Sequence, residues 1–155
     1  MVEISLPISF FICYGGAKGL RVAEMIRDMP MDRELFNPFL ATPDSLDMIP
    51  GTEQYNAEID KRIIDSQLMV VVGTCDIKKS KPAMREIKLA RNEGIHIIVY
   101  LEKGCRSKLP QILSGWHPIE YPEYNPRSRF DRLRLDILRT CLRIANTTTV
   151  RRESS

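Results

Sequence analysis

The sequence predicts an α/β domain in which a parallel sheet carries helices on both faces. Short apolar runs alternate along the chain with segments whose apolar residues recur at helical spacing. One of these runs, LMVVVGT at 68–74, is apolar on both of its faces, as expected for a central strand of a parallel sheet. A length of 155 residues suits one domain with a single core, and no internal repeat interrupts the alternation.

The first strand and the helix after it are predicted from a change in apolar spacing. ISFFICY, at 8–14, reads as a core strand that ends at Gly15 and Gly16. The segment GLRVAEMIRDM reads as a short helix, and its inward-facing residues are expected to be Leu20, Ala23, Met25 and Ile26. A second, shorter strand is expected at PFLA, 38–41.

A long loop and a second helix precede the central strand. TPDSLDMIPG, at 42–51, contains two prolines and a glycine and therefore predicts a loop. From Thr52 the spacing becomes helical, because Tyr55, Ile59 and Ile63 recur at i, i+4 and i+8.

The second half of the chain continues the alternation. KSKPAMREIKLARNEG, at 79–94, reads as one amphipathic helix, and HIIVYLE, at 96–102, as a buried strand. SKLPQILSG carries a short helical turn, and PIEY, at 118–121, reads as an edge strand. The last helix, about 127–145, is expected to place one apolar stripe inward, made of Phe130, Leu133, Ile137, Leu138, Cys141, Leu142 and Ala145.

Five short parallel strands joined by right-handed crossovers predict a flavodoxin-like sheet in the order 2-1-3-4-5. In such sheets ligands bind beyond the carboxyl ends of the strands, near the switch in strand order. This places the candidate site at the loops after Tyr14, Ala41 and Thr74 and at the helix that starts near Ser80.

Composition and charge argue against several classes of protein. The chain is 43% hydrophobic and 28% charged, without an apolar run near the roughly 20 residues that a membrane-spanning helix needs. The early apolar run carries Glu3 and no basic segment, so export is not expected. The net charge of +3 is mild, and Asp131 and Asp136 interrupt the Arg-rich C-terminal helix, which favours a solvated face over a nucleic-acid surface.

The cysteines and histidines indicate neither disulfides nor a metal site. The four cysteines, which lie far apart without a CxxC pair, are Cys13, Cys75, Cys105 and Cys141. They are interpreted as reduced core thiols of a cytoplasmic protein. A zinc site would need histidine partners at suitable spacing, and the sequence has only His96 and His117. The domain is expected to span 1–145, and the polar segment 146–155 is expected to be a disordered tail.

One carboxylate in the amphipathic helix is the main candidate for chemistry. Ser80 suits the N-cap, and at about 100° per residue Glu86 lies at the border of the buried arc centred on Ile87. Two interpretations remain open. Glu86 faces the ligand crevice, where burial would raise its pKa and the helix N-terminus would oppose this, or it is a surface partner of Arg85 and Lys88. The pattern by itself favours the surface partner.

Short motifs between 8 and 121 carry a resemblance to a known family. The first strand contains Phe11-Ile12-Cys13-Tyr14, close to F-I-S-Y, and the following helix and loop match at Ala23 and 42–51. Residues of the second helix and the central strand fit in order, namely Tyr55, Ile59, Ile63, Ser66 and the valines that follow. The frame S-x-W-x-x-x-E-x-x-x-A is filled, with proline in place of the aromatic residue, by Ser80, Pro82, Glu86 and Ala90. In order and spacing these residues resemble the Toll/interleukin-receptor (TIR) domain family, especially its bacterial-type NAD-consuming branch.

The resemblance implies a function and a set of site residues. It implies a TIR-type NAD+ glycohydrolase or NAD-derived nucleotide signal synthase that cleaves the nicotinamide–ribose bond in defence or cell-death signalling. Glu86 would be the catalytic carboxylate, and the expected substrate-binding residues are Tyr14, Gly15, Gly16, Tyr55 and Ser80. NAD+ would be the substrate and not a cofactor. The expected partners are further copies of the chain, through TIR–TIR contacts, and an effector or sensor protein, without a membrane.

Two other functions remain open. A non-catalytic TIR interaction module would assemble through the loop 42–51 and helical faces, and the departures at 15–19 and Pro82 favour it. A nucleoside deoxyribosyltransferase-like enzyme would use Glu86 as a nucleophile at the anomeric carbon of the sugar. The basic sequence KSKPAMRE argues against this second alternative, because that family has a Gly-rich approach to its glutamate. For Tyr55, stacking on a base and packing in the core are equally compatible with the sequence.

Overall fold

The computed structural model describes the backbone of residues 6–42 and 45–153, and side chains as far as Ile144. Within these ranges the strands form one parallel sheet in the order β2-β1-β3-β4-β5. Their bounds are β1 (Ile8–Cys13), β2 (Phe36–Leu40), β3 (Leu68–Gly73), β4 (His96–Glu102) and β5 (Ile119–Tyr121). The predicted fold class and strand order are confirmed.

The helices cover both faces of the sheet. Their bounds are α1 (Gly16–Arg27), α2 (Glu53–Ile64), α3 (Lys81–Asn92) and α4 (Phe130–Glu153). Buried residues of α1 and α4 pack in one apolar cluster, whereas those of α2 and α3 pack in the other. In the part of the chain that the structure describes, no helix has both the length and the apolar character needed to cross a bilayer.

The central strand β3 is buried along its whole length. All six of its residues are buried, and it pairs with β1 on one side and β4 on the other. Both faces must therefore be apolar, which explains why LMVVVG lacks the alternation of a half-exposed strand. Because the neighbouring strands run parallel, the loops that follow β1, β3 and β4 emerge at the same edge.

Some predicted boundaries and inward residues differ from the structure. The strand predicted at 38–41 begins earlier, at Phe36. In α1, Ala23 and Ile26 are buried as predicted, but Leu20 and Met25 are only partly buried and Val22 takes a core position. At about 100° per residue the buried arc of α1 is centred near Ile26, and Leu20 and Met25 lie roughly 110° to either side of that centre.

The inward stripe of α4 is also narrower than predicted. Phe130, Leu133, Ile137 and Cys141 are buried, but Leu142 is 50% exposed. At about 100° per residue, Leu142 lies roughly 135° from the centre of the buried arc, so its predicted burial is wrong. Ala145 belongs to the same predicted stripe, and its side chain lies outside the described residues.

The C-terminal helix is longer than the sequence indicates. A short 3-10 turn at Pro126–Arg129 leads into α4, whose helical backbone continues to Glu153. The predicted helix end near residue 145 is therefore wrong, because 146–153 contains neither glycine nor proline to end the helix. Disorder of this segment in solution stays a prediction. Residues 1–5, 43–44 and 154–155 lie outside the description, and they include parts of the predicted domain, loop and tail.

Two of the four cysteines form a disulfide, which corrects the interpretation of all four as reduced thiols. Cys75 follows β3, Cys105 follows β4, and their Cα atoms lie 4.8 Å apart. They are 30 residues apart in sequence but close in space, because β3 and β4 are hydrogen-bonded neighbours that end at the same edge. Cys13 and Cys141 are free and buried, as predicted.

The disulfide predicts a specific thiol count. Alkylation of the denatured, unreduced protein should label only the two cysteines outside the bond, and prior reduction should raise the count to four, as read by mass spectrometry. Reduction should also lower the free energy of unfolding by about 3–4 kcal/mol, because a loop of this length is no longer closed in the unfolded chain.

A double variant with Cys75→Ser and Cys105→Ser is the matched control, and its stability should not respond to reductant. Four labelled thiols before reduction would contradict the bond.

Candidate functional site

The candidate site lies where the loops after β1 and β3 approach each other. A Cβ atom at Gly15 would lie 2.8 Å from the Ser80 Cβ and 3.3 Å from the Ile77 Cα, so only glycine allows this approach. Gly16 has a φ of +77°, in the region that favours glycine. The structure therefore brings together three of the predicted binding residues, Gly15, Gly16 and Ser80.

Ser80 begins the helix that carries the carboxylate. Its Oγ accepts a hydrogen bond of 3.2 Å from the Ala83 backbone N–H, and Pro82 lies in the first turn. The predicted N-cap is confirmed. The oxygen of the hydroxyl is engaged in capping, whereas its proton remains available to donate elsewhere.

Glu86 lies on α3 beside the end of β1. It is partly buried, and the Cys13 thiol lies close enough to its carboxylate to affect its ionisation. The thiol donates a hydrogen bond to the Ala83 carbonyl oxygen, which lies 3.7 Å from the Cys13 sulfur. Arg85, the surface partner considered from sequence, instead forms an ion pair of 2.5 Å with Asp60 of α2.

The surroundings of Glu86 change its ionisation. Burial raises its pKa to about 7, and the negative charge of Asp60 adds to this rise. The Cys13 thiol and the Arg85 charge oppose it, because both favour the carboxylate form. A glutamate with this pKa is present in both protonation states near neutral pH, as suits a group that takes part in chemistry.

Two tyrosines lie within the electrostatic reach of Glu86. The Tyr14 hydroxyl donates a hydrogen bond of 3.0 Å to the Ala41 carbonyl oxygen, which ties the end of β1 to the end of β2. Burial raises the pKa of Tyr14, as do the charges of Tyr55 and Glu86. Burial and the Glu86 charge also raise the pKa of Tyr55. Tyr14, Tyr55 and Glu86 therefore form one group at the carboxyl edge.

The two interpretations of Tyr55 are not exclusive in the structure. Its ring is partly buried and packs against the apolar cluster that contains Ile59 and Ile63. The remaining exposed part of the ring is the part that a ligand could contact.

Sequence reasoning missed the part that two residues play beside Glu86. The sequence identifies Cys13 only as a core thiol and a motif position, and Asp60 has no signal, because its closeness to Glu86 depends on how α2 packs on α3. Thr74, whose loop the sequence places at the candidate site, is 1% exposed, and its Oγ1 has no hydrogen-bond partner among the described residues. This hydroxyl lies near Gly19 of α1.

The described residues contain no group of three or more histidine, cysteine, aspartate or glutamate side chains placed to hold a metal ion. No protein-family model matches the chain, and no curated protein is similar to it. Membership of the TIR family therefore stays a prediction, and the function is argued from the site.

The raised pKa of Glu86 predicts a pH-dependent effect of its substitution. Its pKa is about 7 in the folded protein against an ordinary value of 4.5, so the folded state holds the proton more tightly between these two pH values. Wild-type stability should therefore fall as pH rises through this window. Glu86→Gln, which cannot ionise, should gain on the order of 2 kcal/mol relative to wild type at pH 8 and little at pH 4.

Urea denaturation at the two pH values measures this difference. Glu93→Gln, an exposed glutamate at the end of the same helix, is the matched control and should show no such pH dependence. An equal effect of Glu86→Gln at both pH values would contradict the burial of the charge.

Proposed function

We propose that this chain is a TIR-type NAD+ glycohydrolase or NAD-derived nucleotide signal synthase, with Glu86 as the catalytic carboxylate. One observation carries the proposal. Glu86 is held partly buried beside Cys13, Tyr14 and Tyr55 at the carboxyl edge, where parallel sheets of this topology bind ligands.

The chemistry requires a negative charge beside a sugar. When the bond between ribose C1′ and the nicotinamide nitrogen breaks, its electron pair leaves with nicotinamide and positive charge develops on the ribose. An ionised Glu86 stabilises this oxocarbenium-like species, and its partial burial strengthens the interaction. In hydrolysis, water then adds at C1′ and loses a proton. In cyclisation, a nucleophile of the same nucleotide takes the place of water.

The other predicted residues would bind the nucleotide. Gly15 and Gly16 start α1, where backbone N–H groups without helical partners suit a phosphate. The Tyr14 and Tyr55 rings offer faces for the nicotinamide or the base, and the Ser80 hydroxyl can donate a hydrogen bond to the substrate.

The biological setting is part of the same proposal. The chain would act in the cytoplasm, assemble through contacts between its own copies, and respond to an effector or sensor protein in defence or cell death. Disulfides are rare in reducing compartments, so the Cys75–Cys105 bond bears directly on the proposed location. Rapid alkylation of thiols in intact cells would show whether this bond exists there.

Incubation of the purified protein with NAD+ should release nicotinamide, as followed by chromatography. Glu86→Gln should lower kcat by about 100-fold or more, because a neutral amide cannot balance the developing charge. The rate should rise as pH increases through about 7, because only the ionised carboxylate is active.

Glu93→Gln is the matched control and should keep the wild-type rate. Release that persists in Glu86→Gln would remove the proposed role. The deoxyribosyltransferase hypothesis would be favoured if the protein exchanged the base of a deoxynucleoside in a reaction that requires Glu86 and left NAD+ unchanged.

A second candidate function is a non-catalytic interaction module, and one observation favours it. Two apolar side chains in the loop after β2 are exposed, Met48 by 40% and Ile49 by 74%. Exposed apolar residues on a protruding loop can be buried when copies of the chain associate.

Light scattering should then show a mean mass that rises with protein concentration. Ile49→Asp should lower the assembled fraction about tenfold, because a charge is desolvated in the contact. Ile64→Asp, an exposed apolar residue at the end of α2, is the control. A wild-type protein that stays monomeric at all concentrations would contradict assembly through this loop, whereas assembly with inert NAD+ would favour the interaction module over the enzyme.

A further inference from the structure

A cavity lies on the opposite side of the sheet from Glu86. It has a volume of about 190 Å³ and opens between α1 and the ends of β4 and β5. Four charged residues, Lys18, Arg21, Glu102 and Glu123, and two tyrosines, Tyr121 and Tyr124, are among those that line it. Tyr121 belongs to the apolar cluster of α1 and α4, whereas Cys13 and Ile87, on either side of Glu86, belong to the cluster of α2 and α3. Tyr14 packs against the first cluster, but neither Tyr14 nor Glu86 lines this cavity. The cavity is therefore separate from the site described above.

Glu102 provides a buried carboxylate with one free oxygen. The residue is 3% exposed, and its Oε1 accepts a hydrogen bond of 2.6 Å from the Lys18 ammonium. Its Oε2 is buried and has no hydrogen-bond partner among the described residues. A carboxylate oxygen that is buried without a donor is energetically costly, so Oε2 is a candidate acceptor for a group that enters the cavity.

Tyr121 provides a second unpaired polar atom in the same wall. It is the register partner of Glu102 on the neighbouring strand, and it is 1% exposed. Its ring stacks on Tyr100 with centroids 4.6 Å apart, which fixes its orientation. Its hydroxyl has no hydrogen-bond partner within the part of the chain described. Two neighbouring residues that line this small space thus each carry a buried polar atom without a partner among the described residues.

The charges around the cavity indicate the kind of ligand. Lys18 is shared between two carboxylates, at 2.6 Å from Glu102 and 2.7 Å from Glu123, so these three groups carry one uncompensated negative charge. Arg21 is exposed at the rim, and it forms no ion pair with any other described residue. The cavity therefore offers hydrogen-bond acceptors on Glu102 and Tyr121 and a cation, Arg21, at its mouth. A ligand of complementary charge carries a positive group towards the acceptors and a negative group towards Arg21.

We propose that this cavity binds a free α-amino acid with an apolar side chain. Its ammonium group donates to Glu102 Oε2 and to the Tyr121 hydroxyl oxygen, and its carboxylate pairs with Arg21. Apolar lining residues, among them Val22, Met25 and Pro126, offer a surface for the side chain. The volume lies below the range of about 300–1,000 Å³ typical of drug-sized ligands, which suits a ligand of this size.

The charge balance favours an ammonium group over a hydroxyl group as the inner donor. A neutral polyol could donate to the same two oxygens, but it would leave the excess negative charge of the three groups without compensation. An ammonium group both donates the hydrogen bonds and balances the charge.

Isothermal titration calorimetry of the full chain tests the ligand class. The probes are the amino acids L-leucine, L-methionine and L-phenylalanine. Two analogues of leucine each lack one charged group: 4-methylpentanoate lacks the ammonium group, and L-leucinamide lacks the carboxylate. D-ribose represents a neutral polyol. At least one of the three amino acids should bind saturably. If L-leucine binds, 4-methylpentanoate and L-leucinamide should each bind with an affinity that is lower by about tenfold or more. Binding of D-ribose alone, equal binding of L-leucine and its analogues, or no binding of any amino acid would overturn the proposal.

Variants test the location. Tyr121→Phe and Arg21→Ala should each weaken binding of the amino acid by about tenfold. Without ligand, Tyr121→Phe should be at least as stable as wild type, because it removes an unpaired buried hydroxyl and keeps the stacked ring.

Glu120→Gln is the matched control, because strand alternation places this residue on the other face of β5. Binding should also survive Glu86→Gln, so this test is independent of the proposed NAD+ chemistry. Unchanged affinity in both Tyr121→Phe and Arg21→Ala would overturn the assignment.

Discussion

The burial of β3 on both faces is the constraint on which the rest of the structure depends. All six residues of this strand are removed from solvent, and helices must cover both sides to keep them so. Such helices are the crossover connections between parallel strands, and parallel strands have their carboxyl ends at a common edge of the sheet. The approach of Gly15 to Ser80, the disulfide after β3 and β4, and both sites all lie at that edge. The packing of strands and helices thus positions the polar groups at this edge.

The two sites use the burial at this edge in different ways. Glu86 is desolvated without a close cation of its own, because Arg85 pairs with Asp60, and burial therefore shifts its pKa towards neutrality. Glu102 is more deeply buried, but Lys18 compensates its charge through one oxygen. The arrangement around Glu86 suits a carboxylate that meets a developing charge during a reaction. The arrangement around Glu102 suits a carboxylate that holds a ligand in place. A sheet with two covered faces can hold both, because alternate residues at the end of each strand face opposite helices.

Unpaired polar atoms cluster at the ends of three neighbouring strands. Thr74, Glu102 and Tyr121 follow or end β3, β4 and β5, and each has a buried side-chain oxygen without a partner among the described residues. Gly73 is paired with Leu101, and Glu102 with Tyr121, so the three residues lie in one row across the sheet. Such atoms are rare in folded proteins, and their concentration at the carboxyl edge is the main reason to propose a ligand site on the side of the sheet that α1 and α4 cover.

The sequence by itself determined the fold class, the strand order and the helix that carries Glu86, because these depend on apolar periodicity and on chain connectivity, which are local properties. It also indicated the N-cap at Ser80 and the border position of Glu86. Only the tertiary structure decided that Cys75 pairs with Cys105, that burial raises the pKa of Glu86 while Cys13 opposes the rise, and that Glu102 and Tyr121 share a cavity. These contacts join residues far apart in sequence, and no periodic pattern encodes them, because they depend on where each strand ends and on how closely the helices pack on the sheet.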